Sequence, residues 1–194
     1  MIEHDIHFIP NFSIGSIIDN KTLYQEFGCK NTGGMRRAHK TNSLVLISDH
    51  TKKFYFDDWK NGVFHYSGMG KHGDQSLYFD QNKTLLESPL NGVHVYFFEV
   101  FVKTQYFYEG EVTLIEQPKQ ELHTDIDGQI RKVWVFRLML KSNTIIFPRT
   151  LIDCSLVLQK RFESNVLIND QDYIENVDDG PLIIHVKRND GFES

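Results

Sequence analysis

Cysteine is scarce in this chain, with two in 194 residues, Cys29 and Cys154. They form no C-x-x-C pair and no repeated spacing. That excludes a disulfide-stapled secreted scaffold and points to a reducing, cytoplasmic setting. No apolar run comes near the roughly 20 residues that a membrane-spanning helix needs, so no membrane partner is expected. The opening MIEHDIHFIP lacks a basic segment followed by a continuous apolar one, and does not read as a secretory leader. Catalytic signatures are missing as well. There is no H-E-x-x-H, no H-N-H, no zinc-deaminase H-x-E…P-C-x-x-C and no G-x-S-x-G elbow. The histidines His65, His72 and His94 lie scattered, without ligand spacing, so neither a metal nor a cofactor is expected. Asp178-Asp179 with Lys187 is the nearest approach to a nuclease triad, and its spacing is wrong. Glu99 and Lys103 share one side of a strand with no second acid beside them. The chain therefore reads as a binding module and not as an enzyme. It has no internal repeat and no low-complexity segment.

What is present favours strands. Hydrophobic residues make up 40% of the chain, enough for a core, and Phe (15) and Tyr (8) are abundant. The net charge of −5 is unevenly spread. Residues 27–72 carry eight basic side chains and three acidic ones, a local charge of +5 that leaves −10 on the other 148 residues. A positive stretch inside an acidic chain suits an anionic partner, although a solvated face has the same signature.

Strands are predicted over 44–48 (LVLIS), 52–58 (KKFYFDD), 63–67 (VFHYS), 92–103, 105–117 and 132–140. The first two are predicted to form a hairpin around Asp49-His50-Thr51. Gly110, inside its strand, marks a bulge or a close backbone approach. SLYFDQNKTLLES predicts a helix ended by Pro89. Short turns and the lack of βαβ spacing predict an α+β fold built on a curved, partly closed antiparallel β-barrel with a few flanking helices. The character changes near residue 142. We expect a domain over 1–142 and a C-terminal extension over 143–194, packed on the same domain or separate from it. The extension predicts a strand and short helix from 142, an acidic loop over 169–180 and a last strand over 181–188.

The densest chemistry lies in residues 54–77, FYFDDWKNGVFHYSGMGKHGDQSL. Tyr55 and Tyr66 are flat surfaces on either side of Asp57-Asp58. Two aromatic faces can hold a nucleotide base drawn out of its stack, each contact being worth about 1–3 kcal/mol. A carboxylate accepts from an exocyclic amino group, and cytosine N4 is the natural match. Asp58 is the expected acceptor. Ser67 can donate or accept, and Gly68 lets backbone amides approach closely. The competing reading is two ordinary strand tyrosines and a turn-capping Asp pair.

The order of the pieces decides between these readings. Tyr55-Phe56-Asp57-Asp58, Tyr66-Ser67-Gly68-Met69-Gly70, Asp74-Gln75-Ser76-Leu77, Asn82-Lys83-Thr84-Leu85 and Tyr108-Glu109-Gly110 follow one another as in the SRA (SET and RING associated, or YDG) domain. Asn31-Thr32-Gly33-Gly34-Met35-Arg36 resembles the Gly-Gly-x-Arg opening of bacterial members, the sensor domains of modification-dependent restriction endonucleases. The resemblance covers about residues 30–140. It implies a PUA-like curved barrel that flips a modified cytosine of double-stranded DNA, 5-methyl or 5-hydroxymethyl, into an aromatic pocket. Tyr55 and Tyr66 would then sandwich the base, Asp58 would accept from N4, and Asp57, Ser67 and Gly68 would complete the pocket. Ser67 stands where the family usually has Thr. The turn before Tyr66 is about one residue shorter than in eukaryotic members, Tyr-Glu-Gly replaces Tyr-Asp-Gly, and Trp59 adds a large ring. Arg36, Arg37, His39, Lys40 and Lys71 would face the DNA backbone, the first four on a loop. The implied partner is DNA carrying a modified base, with a nuclease domain or subunit as a second partner. Two further readings remain, a small nuclease with its active site in 143–194 and a PUA-like RNA-binding module.

Overall fold

The structure, a computed structural model, describes residues 7–52, 56–60 and 62–142, together with the backbone of 144–147, 173–176 and 182–185. Its elements follow the chain as β1 (Ile17–Ile18), α1 (Asn20–Phe27), β2 (Met35–Ala38), β3 (Ser43–Asp49), β4 (Asp58–Lys60) and β5 (Val63–Ser67). Then come α2 (Gln81–Glu87), β6 (His94–Val102), β7 (Gln105–Leu114), β8 (Lys119–Thr124) and β9 (Ile130–Leu140). The last three strands are β10 (Thr144–Phe147), β11 (Tyr173–Asn176) and β12 (Leu182–His185).

Nine strands form one sheet in the order β2-β3-β6-β7-β9-β5-β4, with β1 on β7 and β8 on β9. The sheet is mixed, which corrects the antiparallel expectation. β3 and β6 run parallel, from Ser43 opposite His94 to Asp49 opposite Val100. Parallel neighbours need a long crossover, and β4, β5 and α2 supply it. The expected hairpin of 44–48 with 52–58 is also corrected. Both edges of β3 are taken, by β2 and β6, so the chain after Asp49 must leave the strand. Asp58 pairs instead with His65 in a short β4–β5 hairpin. Closure is looser than expected. Among the described residues no hydrogen-bonded ladder joins the two end strands, β2 and β4. The sheet still curls, because Met35 of β2 and Trp59 of β4 enter the same apolar core.

The continuous apolar runs have a simple cause. A strand covered on both faces loses its polar alternation. Leu44, Leu46, Val95 and Phe97 point into the concave core with Phe64, Tyr66, Phe136 and Leu138. Val45, Ile47, Tyr96 and Phe98 point to the other face, where Leu23 and Phe27 of α1 cover them. α1 was not foreseen, yet its signals are present. Asp19 accepts from the Thr22 amide at the N-terminus, Gly28 ends the helix in a left-handed conformation, and Leu23 and Phe27 are one turn apart. Gly110 is the predicted bulge. The β6–β7 register shifts between Phe97 and Phe98, leaving Glu109 as the extra residue. Gly110 has φ +117, and a β-carbon there would lie 3.1 Å from the Ile14 side chain.

Beyond residue 143, β10, β12 and β11 form a separate three-stranded sheet. β11 falls within the stretch read as an acidic loop, because Tyr173–Asn176 pairs along β12. The helix expected after β10 lies outside the described residues.

Candidate nucleic-acid interface

The two neighbouring carboxylates are placed very differently. Asp57 is buried, and its Oδ1 accepts from the Ser67 amide at 2.8 Å. Its Oδ2 accepts from the Ser48 hydroxyl at 2.9 Å. Burial pushes its pKa above the ordinary carboxylate value, against the pull of the Ser67 and Ser48 hydrogen bonds and the nearby His50. A carboxylate has about four lone-pair sites, so acceptor capacity remains beyond the Ser67 and Ser48 bonds. Asp58 is half-buried, sits opposite His65 and accepts from the Trp59 amide.

Tyr66 is only 3% exposed and belongs to the concave core. Its hydroxyl lies 2.9 Å from the Gly34 carbonyl and 3.2 Å from that of Ile47, which fixes the ring between β2 and β3. Ser67 follows on the opposite face of β5. Its hydroxyl is buried and makes no well-formed hydrogen bond among the described residues, though it lies close enough to the Asp57 carboxylate to help stabilise its charge. A buried polar atom left in this state marks a place where a ligand or water completes the site. His65 Nδ1, on the same side of the strand, is likewise buried without a hydrogen bond among the described residues. Burial first, and then the charges of Lys60 and Arg137, hold the His65 pKa down. Tyr55 lies outside the described residues.

The glycine turn after Ser67 is braced on all sides. Gln75 donates to the Gly68 carbonyl at 2.6 Å and accepts from the Trp134 amide at 2.9 Å. Asn82, fully buried at the start of α2, accepts from the Met69 amide and donates to the Met69 and Ser76 carbonyls. Arg131 reaches across from β9 to the Gly70 carbonyl at 2.6 Å. Gly68 is obligatory here, since a β-carbon would lie 2.8 Å from Gln75 Oε1 and 3.2 Å from the Trp134 carbonyl. Sequence reading picked out Gln75 and Asn82 as motif positions. It did not foresee that their amide side chains build the turn.

Behind Asp57 lies a second buried acid. Glu99, 1% exposed, accepts from Trp59 Nε1 at 3.1 Å and lies 2.7 Å from His50 Nε2. The His50 ring stacks on Phe101. Glu99 is opposite Ser48 in the β3–β6 ladder, so the two buried carboxylates share one polar seam. Sequence reading had tied Glu99 to Lys103 instead, and Lys103 is exposed.

The expected basic loop is corrected. Arg36 and Arg37 belong to β2, where pairing with β3 fixes the backbone. Arg36 is 4% exposed, donates to the Gly33 carbonyl and to Asn20 Oδ1, and lies over the Tyr106 ring. Arg37 donates to the Ala38 and Ser43 carbonyls and to Asn42. His39 and Lys40 occupy the exposed turn that follows, and Lys71 is exposed on the glycine turn. Among the described residues no helix is long and apolar enough to cross a membrane.

A family model described as "ScoMcrA-like, SRA domain" matches residues 14–145. No curated protein sequence matches the chain. Solved structures do. The sulfur-binding and SRA domains of ScoMcrA, complexed with phosphorothioated DNA, align with a TM-score of 0.56 at 20% identity, covering 67% of this chain and 40% of that one. The SRA domain of SUVH5, in complex with fully methylated CG DNA, aligns with a TM-score of 0.51 at 22% identity, covering 70% and 93%. The modification-dependent restriction endonuclease TagI aligns with a TM-score of 0.52 at 16% identity, covering 90% and 67%. The chain thus spans well under two thirds of the ScoMcrA polypeptide.

Proposed function

The chain belongs to the ScoMcrA-like SRA domain family, and from that premise we propose that it is a non-catalytic reader of modified double-stranded DNA. It flips a 5-substituted cytosine, 5-methyl or 5-hydroxymethyl, into the site headed by Asp57 and Ser67. The observation that carries this reading is a buried carboxylate with spare acceptor capacity beside a buried hydroxyl that makes no well-formed hydrogen bond, at the mouth of a braced glycine turn. Asp57, and not Asp58, accepts from the N4 amino group through its spare acceptor capacity. Burial favours that hydrogen bond, because water competes poorly there. The Ser67 hydroxyl completes the contact with the base or its substituent. Tyr66, buried in the core on the other face of β5, holds the strand from behind, and Tyr55 is the ring that closes over the base. Phosphates are held by His39, Lys40 and Lys71, while Arg36 and Arg37 frame β2. The domain serves as the sensor of a modification-dependent restriction system, with the nuclease in another domain or subunit.

A binding panel tests this. Otherwise identical duplexes carry cytosine, 5-methylcytosine, 5-hydroxymethylcytosine, glucosylated hydroxymethylcytosine or N6-methyladenine, with an RNA duplex as competitor. The expected outcome is preference for one 5-substituted cytosine and weak competition by RNA. Equal affinity across the DNA panel would overturn the reading.

A further inference from the structure

Far along the sheet from the glycine turn, His7, His94 and Glu111 converge. We propose that they form a binding site for a late first-row divalent metal, zinc in the first instance, which pins the N-terminal arm to β6 and β7. His94 opens β6, and Glu111 of β7 sits opposite Tyr96, so the two are diagonal neighbours on one face. His94 Nδ1 lies 2.8 Å from Glu111 Oε1, and His7 Nε2 lies 3.0 Å from Glu111 Oε2. The three ligand atoms all fall within 4.8 Å of one another. Tetrahedral zinc, with bonds of about 2.0–2.2 Å, needs them about 3.4 Å apart, a small adjustment. The two imidazoles stack at 4.2 Å, which aims both nitrogens at the same carboxylate.

The arm is already docked. Phe8 packs against Phe27 and Tyr96, and the Tyr96 hydroxyl donates to the Phe8 carbonyl. His7 is therefore held in place before any metal arrives. Burial raises the Glu111 pKa, but Lys141, His94 and His7 outweigh it, so the carboxylate stays ionised. Two imidazole nitrogens and a carboxylate, with a fourth position for water, suit zinc, nickel or copper and not magnesium. Lys141 Nζ, 2.6 Å from Glu111 Oε1, competes for the carboxylate and must swing away; it is about half exposed and free to do so. The other convergent group, His72 with Asp125 and Asp127, is weaker. Asp125 Oδ1 is occupied by the amides of Asp127 and Gln129 in a hairpin turn, and Arg131 is close by.

The test is titration of the full chain with zinc chloride by calorimetry, with magnesium chloride as control. It is paired with thermal melts and with circular dichroism of each variant. We expect one zinc per wild-type chain and none of the magnesium. His7→Ala and His94→Ala should each weaken zinc at least tenfold while keeping the wild-type fold. Zinc should raise the melting temperature of the wild type and of Lys141→Ala, which should bind zinc more tightly, and not that of either histidine variant. DNA binding should be unchanged in all three variants, which separates this site from the reader pocket. Zinc affinity unchanged in both histidine variants, or no saturable binding at micromolar zinc, would overturn the proposal. Glu111 would then be only the hub of an ion-pair network.

Discussion

The β3–β6 centre and the β4–β5 edge of the same sheet are held together by different forces. At the centre, Leu44, Leu46, Val95 and Phe97 fill one face, and Val45, Tyr96 and Phe98 fill the other. Burial of apolar area does the work there, at roughly 25 cal/mol per Å². At the edge, β4 is three residues long; Trp59, Phe64 and Tyr66 still enter the core, but beside them lie the buried polar groups Asp57, Ser67, Gln75 and Asn82. Hydrogen bonds position that region, and each adds only about 0.5–1.5 kcal/mol to stability. The centre tolerates no change of volume, whereas the edge tolerates no change of geometry. A reader domain can thus concentrate its stability in one place and its specificity in another.

Several substitutions can break or sharpen that contrast. The largest effect on stability is expected at the centre. Phe97→Ala empties a fully buried site and should cost about 3–5 kcal/mol. Urea denaturation measures it, and a loss below 1 kcal/mol would mean that the two regions do not differ as described. At the edge, Asn82→Ala leaves the Met69 amide without its acceptor and should cost about 1–3 kcal/mol. Its signature should be lost DNA binding in protein that is still folded at 25 °C.

The pH response follows from Asp57. Burial raises its pKa, so the folded protein holds this proton to higher pH than the unfolded chain. Ionisation between the ordinary value and the raised one therefore costs stability as the pH rises through that window. Acidification through the raised value reverses this, stabilising the fold at Asp57 while removing the acceptor for N4. Selectivity for modified DNA should fall on acidification at a pH above the usual carboxylate range, with no matching loss of folded protein. A selectivity that is flat with pH down to the ordinary carboxylate value would contradict the role given to Asp57. The smallest effect is expected on the surface. Lys40→Ala with Lys71→Ala should lower affinity for all duplexes alike and flatten the salt dependence by about 0.9 per lost phosphate contact.

The same contrast explains what could be read from the sequence. Central strands were legible because continuous apolar runs have few other uses, and the Gly110 bulge was legible because glycine rarely sits inside a strand without cause. The partner of each strand was not legible. Pairing β3 with its nearest neighbour in sequence is the natural guess, and the parallel partner β6 lies beyond a long crossover. Within the site, the motif order picks out the segment but does not show how differently its two carboxylates are buried. Asp57 and Asp58 are adjacent, and only the turn into β4 decides that Asp57 faces Ser48 and Ser67. Arg36 looked like a surface charge, because no local pattern reveals that Asn20 and the Gly33 carbonyl are waiting for it. The His7–His94–Glu111 group was equally invisible, since its members come together only through sheet topology and the docked arm.

The central claim is that Asp57 reads the flipped base from within the pocket. The direct test is a comparison of Asp57→Asn with Asp58→Asn on one modified and one unmodified duplex, with 2-aminopurine beside the target to report unstacking. A charge-assisted hydrogen bond is worth about 1.5–3 kcal/mol, so Asp57→Asn should reduce the preference for modified DNA by at least about tenfold. It should also abolish the fluorescence rise. Asp58→Asn should leave both within about a factor of two, as expected for a half-exposed group away from such features. Loss of selectivity in Asp58→Asn with Asp57→Asn unchanged, or tight selective binding by wild type with no unstacking signal, would contradict the account.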